Sequence, residues 1–169
     1  MPLKITLDTN CLFEYFERNP KYVEELVKHA ERGNIEMAMT TRVMSDTRDK
    51  RYGKSESPIW NKIQSFPSME TIGTAFRLDV SYLNSGDFLI SEDDSKMVND
   101  LGELMKGAQA EDIDHIFGHI IGRRDIFVTS DRHFLDHHEE LLNKFGLLVL
   151  KPEDAVKQIE RDFSIDKRT

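Results

Sequence analysis

The chain has 169 residues, and its 31 Asp and Glu against 23 Lys and Arg give a formal net charge of −8. This balance argues against broad nonspecific binding of nucleic acid, because phosphate binding depends on Lys and Arg. No stretch approaches the roughly 20 apolar residues of a membrane span, and the start lacks a signal-peptide pattern. Cys11 is the only cysteine, so it cannot form an internal disulfide. We therefore expect one cytoplasmic domain over residues 1–169.

Hydrophobic patterning in the first part of the chain alternates between short apolar runs and helical spacing. "LKITL" predicts a strand, and a helix is predicted over 10–18. The next helix is predicted between Pro20 and Gly33, because apolar residues repeat there at intervals of three and four. "IEMAMT" then predicts a strand, and "RVMSDTRDKRYGK" predicts a helix that becomes strongly basic. This order predicts two successive strand–helix units.

The second part of the chain continues the same alternation. A helix is predicted over 57–66, a linker around Pro67, and a strand over 75–83. An apolar stripe from Met97 to Ala108 predicts a helix with Ser95 as its N-cap, and another helix is predicted over 110–122. "DIFVTSD" and "LLVL" predict two more strands, with a final helix after Pro152. The alternation predicts an α/β fold, an α/β/α sandwich around a mostly parallel sheet.

Acidic residues follow the predicted strands. Asp8 and Asp131 each come directly after a strand, where ligands of open parallel sheets bind. Asp46 lies in the helix after the second strand, and Asp112 lies at the start of the helix before "DIFVTSD". These four carboxylates can therefore converge at one edge of the sheet.

Converging carboxylates repel one another unless they retain protons or bind cations. Oxygen ligands without cysteine favour Mg²⁺ or Mn²⁺ over Zn²⁺. The pattern therefore predicts a site for one or two such ions, since two ions can clamp both oxygens of a phosphodiester in a displacement reaction. Thr9 and Asn10 would turn the chain after Asp8 and supply hydrogen bonds around its carboxylate.

Simpler interpretations stay open for several of these residues. Asp8 and Asp131 could each only cap the helix that follows. Asp114 is a rival or supplement to Asp112, although the two point about 200° apart on a helix. His115 and His119 share a helical face and could mimic a zinc pair, but no HExxH motif is present. For His115, packing or hydrogen bonding near the acids is therefore favoured.

The basic residues near Asp46 and near "DIFVTSD" are candidates for contacting the phosphate groups of a nucleic acid. An ordinary solvated face is the alternative. Lys54 belongs to the basic stretch around Asp46, and Arg123, Arg124 and Arg132 flank "DIFVTSD". The predicted RNA-binding residues are Arg42, Arg48, Lys50, Arg51 and Arg132.

Two stretches together resemble PIN-domain ribonucleases. "ITLDTNCLFEYF" resembles the opening strand and helix of that family, and "EDIDHIFGHIIGRRDIFVTSDRHFL" resembles its closing active-site stretch. The resemblance spans nearly the whole chain in element order, with a longer, irregular segment at about 48–92. The matching positions of the closing stretch are Asp112, His115, Ile116, Asp125, Thr129, Asp131 and Phe134.

The resemblance implies a PIN-like fold and a ribonuclease that depends on Mg²⁺ or Mn²⁺. It places the catalytic, metal-binding positions at Asp8, Asp46, Asp112 and Asp131, with Asp114 as a further metal candidate. Asp46 is a departure, since the family usually carries Glu there. The residues that would orient these carboxylates are Asn10, Thr129, Thr9 and His115.

The same resemblance implies RNA as substrate and, as in the toxins of toxin–antitoxin pairs, an antitoxin-like protein and a homodimer as partners. Two other functions stay open. A noncatalytic scaffold that binds RNA or a protein is the first, because Asp46 has a short side chain. The second is a receiver-like or phosphatase-like protein with Asp8 as a covalent nucleophile, although a lysine partner after a late strand is lacking.

Overall fold

The computed structural model describes residues 1–47, 62–63, 66, 69–76 and 86–166, without the side chains of Ser45 and of 164–166. Most of the helix predicted over 57–66 and of the strand predicted over 75–83 lies outside the described residues. So do the basic residues Arg48, Lys50, Arg51 and Lys54.

A parallel five-stranded sheet forms the centre of the fold. Its strands are β1 (Leu3–Leu7), β2 (Ile35–Thr40), β3 (Met69–Ile72), β4 (Ile126–Val128) and β5 (Leu148–Leu150). They lie in the order β3-β2-β1-β4-β5, and every pairing is parallel. The chain thus builds outward from β1 in one direction and from β4 in the other. The order reverses between β1 and β4, and ligands of open α/β sheets bind beyond the carboxyl ends of strands at such a point.

Helices cover both faces of this sheet and complete the three layers. On one face, α1 (Thr9–Glu17), α2 (Lys21–Glu31) and α8 (Pro152–Asp166) bury apolar side chains against β1 and β2. The other face is covered by α4 (Glu92–Leu104), α5 (Ala110–Ile121), α6 (Arg132–Asp136) and α7 (His138–Phe145). The short α3 (Arg42–Asp46) follows β2. The predicted α/β/α sandwich is confirmed.

Successive side chains of β1 point to opposite faces of the sheet, so they pack against different helical layers. Ile5 and Leu7 are fully buried in the α1–α2–α8 cluster, and each contributes about 1.5–3 kcal/mol by burial. Thr6 points to the other face, where its Oγ1 lies 2.9 Å from Nδ1 of His119 on α5. The buried part of β1, residues 5–7, therefore contains one polar side chain, that of Thr6, and this side chain has a hydrogen-bond partner.

One local prediction was wrong, and one strand was not predicted. The helix predicted to begin after Ser95 begins at Glu92, because Ser91 is the N-cap and forms a capping box with Asp94. Strand β3 was not predicted, and the linker predicted around Pro67 lies outside the described residues. Among the described residues, β3 is a four-residue edge strand paired with β2 alone, and its "METI" sequence lacks the apolar run of a central strand. None of the helices in the described part of the chain has the length and apolar character needed to cross a membrane.

Close packing of α5 on the sheet depends on Gly118. A Cβ atom there would lie 2.9 Å from Cγ2 of Thr74 and 3.1 Å from Cγ2 of Thr40, and both threonines are buried. We expect Gly118→Ala to lower the free energy of unfolding by about 1–3 kcal/mol, measured by urea denaturation, because short β-branched side chains cannot move aside.

Gly102 is the matched control for this substitution. It lies in α4, and an added Cβ would meet no atom within 4 Å among the described residues, apart from the backbone of the helix itself. Gly102→Ala should therefore raise the free energy of unfolding by about 0.5–1 kcal/mol through helix propensity. Equal effects at the two glycines would contradict the packing explanation.

Candidate active site

Two carboxylates meet at the reversal point of the sheet. Asp8, which follows β1 and is 3% exposed, accepts hydrogen bonds from the backbone N–H of Thr9 (2.8 Å) and from Oγ1 of Thr129 (2.7 Å). Nδ2 of Asn10 lies 3.5 Å from Oδ2 of Asp8 and 3.3 Å from Oδ2 of Asp131. A single amide group therefore donates to carboxylates from the ends of β1 and β4.

Asp131 caps helix α6 and also lies at the carboxyl edge of the sheet. Its Oδ1 accepts a hydrogen bond of 2.8 Å from the backbone N–H of His133, which caps α6. Its own backbone N–H donates to Oγ1 of Thr129 at 3.0 Å. Thr129 thus links the Asp8 carboxylate to the backbone of Asp131. Capping and convergence, which the sequence left as alternatives, occur together at both aspartates.

Asp46 lies at the end of α3 and binds two neighbours. Its Oδ2 accepts hydrogen bonds from Oγ1 of Thr9 (2.5 Å) and from Nε2 of His115 (2.8 Å). Nδ1 of His115 lies 2.6 Å from Oγ1 of Thr40 at the end of β2. The buried imidazole of His115 therefore connects two elements of the site, α3 and β2.

Asp112 lies at the amino end of α5. Its Oδ2 accepts a hydrogen bond of 3.0 Å from the backbone N–H of Gln109, as part of a capping box. Burial raises the pKa of Asp112, and the negative charges of Asp131 and Asp46 raise it further. These charge interactions place Asp112 within electrostatic reach of the same edge.

Burial and charge shift the pKa values of the other groups. Burial raises the pKa of Asp8, and the negative charge of Asp46 raises it further. The charge of His115 and the hydrogen bond from Thr129 act in the opposite direction. Burial opposes the charged form of Asp46, but hydrogen bonds from His115 and Thr9 outweigh it, so this pKa is lowered. Burial also opposes charge on His115, but the neighbouring carboxylates outweigh it and raise its pKa. The site is therefore dominated by negative charge, with one internal imidazole as partial compensation.

Asp114 is not part of this edge. Its side chain is 1% exposed, and its Oδ2 accepts a hydrogen bond of 2.8 Å from Nε of Arg42. Asp114 thus forms a buried ion pair with Arg42. The choice between Asp112 and Asp114 as a metal ligand stays a prediction.

The predicted RNA-binding role of Arg42 needs correction for the same reason. Arg42 is 1% exposed and also pairs with Asp87 at 3.1 Å and with the carbonyl oxygen of Ala75. Arg124 is buried too, and it binds the carbonyl oxygens of Ile5 and Glu36 within the sheet. Arg132, the first residue of α6, is exposed next to Asp131.

The two histidines of α5 do not act together. Whereas His115 contacts Asp46 and Thr40, His119 contacts Thr6 and is 1% exposed. Burial lowers the pKa of His119 to about 3, and the charge of Arg124 adds to this effect. His119 is therefore neutral and packs in the core.

Donor chemistry at this edge fits a hard divalent cation. The candidate ligands are carboxylate oxygens, which are the donors that Mg²⁺ and Mn²⁺ prefer. Burial raises the pKa values of Asp8 and Asp112, because it disfavours their charged forms. In the ranges that the structure describes, however, no three His, Cys, Asp or Glu side chains are gathered closely enough to hold a metal ion. Asp8 and Asp131 share the amide of Asn10, whereas Asp46 is bound to His115 and Thr9, and Asp112 is bound to the backbone of Gln109.

Thr40 is a site residue that sequence analysis missed. It is 1% exposed at the end of β2, and it fixes the ring of His115. The signal that revealed Asp8, a polar residue that closes a buried strand, was present at Thr40 as well. Because the Thr40 hydroxyl carries no charge, its burial does not require a cation or another charged partner, so the sequence did not mark it as a site residue.

Comparison with known proteins supports the fold. No protein-family model matches the chain, and no curated protein matches it either. Among solved structures, the chain is similar to one from the crystal structure of VapBC2 from Rickettsia felis bound to a DNA fragment from their promoter. The TM-score is 0.58 at 14% identity, covering 88% of this chain and 98% of that one. The predicted PIN-like fold is thereby confirmed.

Proposed function

We propose that the protein is a metal-dependent ribonuclease that hydrolyses phosphodiester bonds in RNA. The observation that carries this proposal is the convergence of Asp8 and Asp131 on the amide of Asn10, where the strand order reverses. Ligands bind at this position in open α/β sheets. Carboxylates at such a place fit Mg²⁺ or Mn²⁺, which have to be bound before a polyanion can approach.

The residues divide into ligands and groups that orient them. Asp8, Asp131, Asp46 and Asp112 would hold the cation or cations. Thr129 and Asn10 hold the carboxylates of Asp8 and Asp131 by hydrogen bonds, as outer-sphere groups do in metal sites.

When bound, the cation supplies positive charge for the attacking and leaving oxygens of the phosphodiester. The buried carboxylates keep the ion in place. His115 orients Asp46 by the hydrogen bond at Nε2. Arg132 lies exposed beside Asp131 and can contact the RNA backbone.

A toxin role is part of the proposal. The solved structure to which the chain is similar belongs to VapBC2 bound to a promoter DNA fragment. By analogy of fold, we propose an antitoxin-like protein as partner and a homodimer as the assembled form.

Chelation tests the metal requirement directly. Purified protein should cleave single-stranded RNA with MnCl₂ or MgCl₂, lose activity in excess EDTA, and regain it when Mn²⁺ is restored. Asp131→Asn should reduce the initial rate by about 10²-fold or more, because one ligand is lost. Gel electrophoresis of end-labelled RNA measures both rates.

A noncatalytic scaffold is the second candidate. The observation that favours it is the hydrogen bonding of Asp46, whose short side chain is held by His115 and Thr9. RNA binding without cleavage in Mn²⁺, with wild type and Asp131→Asn equally inactive, would support the scaffold and contradict the ribonuclease.

A further inference from the structure

Helices α3 and α5 are joined by two adjacent side-chain pairs. Arg42 and Asp46 are four residues apart on α3, so their side chains lie on one face. Nε of Arg42 donates to Oδ2 of Asp114 at 2.8 Å, and Nε2 of His115 donates to Oδ2 of Asp46 at 2.8 Å. Asp114 and His115 are consecutive on α5. We call these two pairs the α3–α5 double contact.

A second set of contacts fixes the first pair from the other side. The Arg42 guanidinium also pairs with Asp87, whose side chain is 0% exposed. Oδ1 of Asp87 accepts hydrogen bonds from Oγ1 of Thr41 and from the backbone N–H of Thr74, the latter at 3.1 Å. Arg42 therefore has a fixed place in the core.

Helix α3 needs such contacts, because it is only five residues long. A single turn of helix has no stability of its own, so tertiary contacts must set its position. The ion pair with Asp114 fixes the first residue of α3, and Asp46 is its last residue. The carboxylate of Asp46 has a short side chain, so its place depends directly on the backbone of α3.

We propose that the buried Arg42–Asp114 pair is a positioning device, which holds α3 so that the Asp46 carboxylate meets His115 and Thr9 at the site edge. The proposal deepens the proposed function and rests on it for the role of Asp46. Arg42 is buried, which removes it from the exposed basic face predicted from the sequence, and it is not proposed to contact substrate. Asp114 serves the site through Arg42 instead of binding a cation.

Arg42→Lys tests the proposal, because lysine keeps the charge but loses the fork of donors that reaches Asp114, Asp87 and Ala75 together. The first measurement uses metal-free, RNA-free protein: the ring N–H proton of His115 observed by NMR. We expect the resonance to disappear in Asp46→Asn and to shift or broaden in Arg42→Lys. An unchanged resonance in Arg42→Lys overturns the proposal.

The second measurement is Mn²⁺ binding by EPR without RNA. We expect about a 10-fold weaker affinity in Arg42→Lys, as for other groups that orient metal ligands. The double variant Arg42→Lys/Asp46→Asn should bind no more weakly than Asp46→Asn, because Arg42 acts through Asp46. Additive losses in the double variant overturn the proposal.

Arg124→Lys is the matched control. Arg124 is also buried and also binds backbone carbonyl oxygens, but it contacts the strands and not α3. Its substitution should leave the His115 resonance unchanged and the Mn²⁺ affinity within about twofold, since it costs stability without moving α3. Equal loss of Mn²⁺ affinity in Arg124→Lys and Arg42→Lys overturns the proposal in favour of a general effect of destabilisation.

Asp114→Asn provides a second variant if Arg42→Lys does not fold, because asparagine keeps an oxygen acceptor for Nε of Arg42. It should shift the His115 resonance in the same way, and an unchanged resonance overturns the proposal. Failure of the proposed function looks different. In that case wild type binds no Mn²⁺, while the His115 resonance still responds to Arg42→Lys.

Discussion

Asp8→Asn is expected to lower the rate of divalent-dependent RNA cleavage about 10³-fold. The substitution keeps the shape of the side chain but removes a charged ligand, and a catalytic metal contributes several kcal/mol to the transition state. The initial rate of cleavage at saturating Mn²⁺ measures the effect. Asp93→Asn is the matched control, since Asp93 is exposed on α4, and it should keep the wild-type rate.

The same variant should be more stable than wild type when no metal is present. Burial raises the pKa of Asp8 above 3.8, so its ionised form destabilises the folded state at neutral pH. The stability advantage of Asp8→Asn should therefore be greatest near pH 7. It should shrink as the pH falls through the raised pKa, because folded wild type then takes up the proton.

At saturating Mn²⁺, wild type should instead be more stable than Asp8→Asn. A ligand that binds only the folded state at 100 times its Kd stabilises it by about 2.7 kcal/mol, and wild type should gain more than Asp8→Asn. Urea denaturation with and without MnCl₂ measures the difference. A less stable metal-free Asp8→Asn, or equal gains in Mn²⁺, would contradict the role given to Asp8.

His119 is expected to make the protein sensitive to acid. Its pKa is about 3 in the folded state against an ordinary value of 6.5, so the unfolded chain binds the proton more tightly. Its contribution to stability is therefore complete above pH 6.5 and declines by about 1.4 kcal/mol per pH unit below that value. Between pH 6.5 and 5 this amounts to about 2 kcal/mol.

His119→Gln isolates this effect, because glutamine cannot be charged but can still form a hydrogen bond with Thr6. The decline between pH 6.5 and 5 in urea denaturation should be about 2 kcal/mol smaller in this variant. The exposed His138 provides the control, and His138→Gln should keep the wild-type decline. Parallel declines in wild type and His119→Gln would show that another group controls acid unfolding.

The strand-end acids illustrate what could be predicted locally. A charged residue directly after a buried strand needs compensation wherever the strand lies, so Asp8 was recognisable without coordinates. Asp131 was recognisable from the same pattern in "DIFVTSD", although β4 ends at Val128. The short edge strand β3 was not, because its four residues include exposed Glu70 and lack a clear pattern. Strand pairing at an edge depends on the neighbour β2 more than on the strand itself.

The partners of polar residues could not be predicted in the same way. Asp112 and Asp114 differ by two positions on one helix, and the sequence offered both as ligands. Only the packing of α3 against α5 brings Arg42 to Asp114 and buries both. An arginine in a basic stretch has the same sequence pattern whether it faces solvent or the core.

Three features could be predicted from the amino-acid sequence alone: the α/β alternation, the acids that follow β1 and β4, and the helix that carries Asp112 and His115. These features follow from hydrophobic period and from the cost of burying charge, which are local properties. Tertiary structure decided the strand order, the burial of Arg42, and the hydrogen bonds that hold Asp46. Those depend on contacts between residues distant in the chain, and the geometry of such contacts is set only when the layers pack.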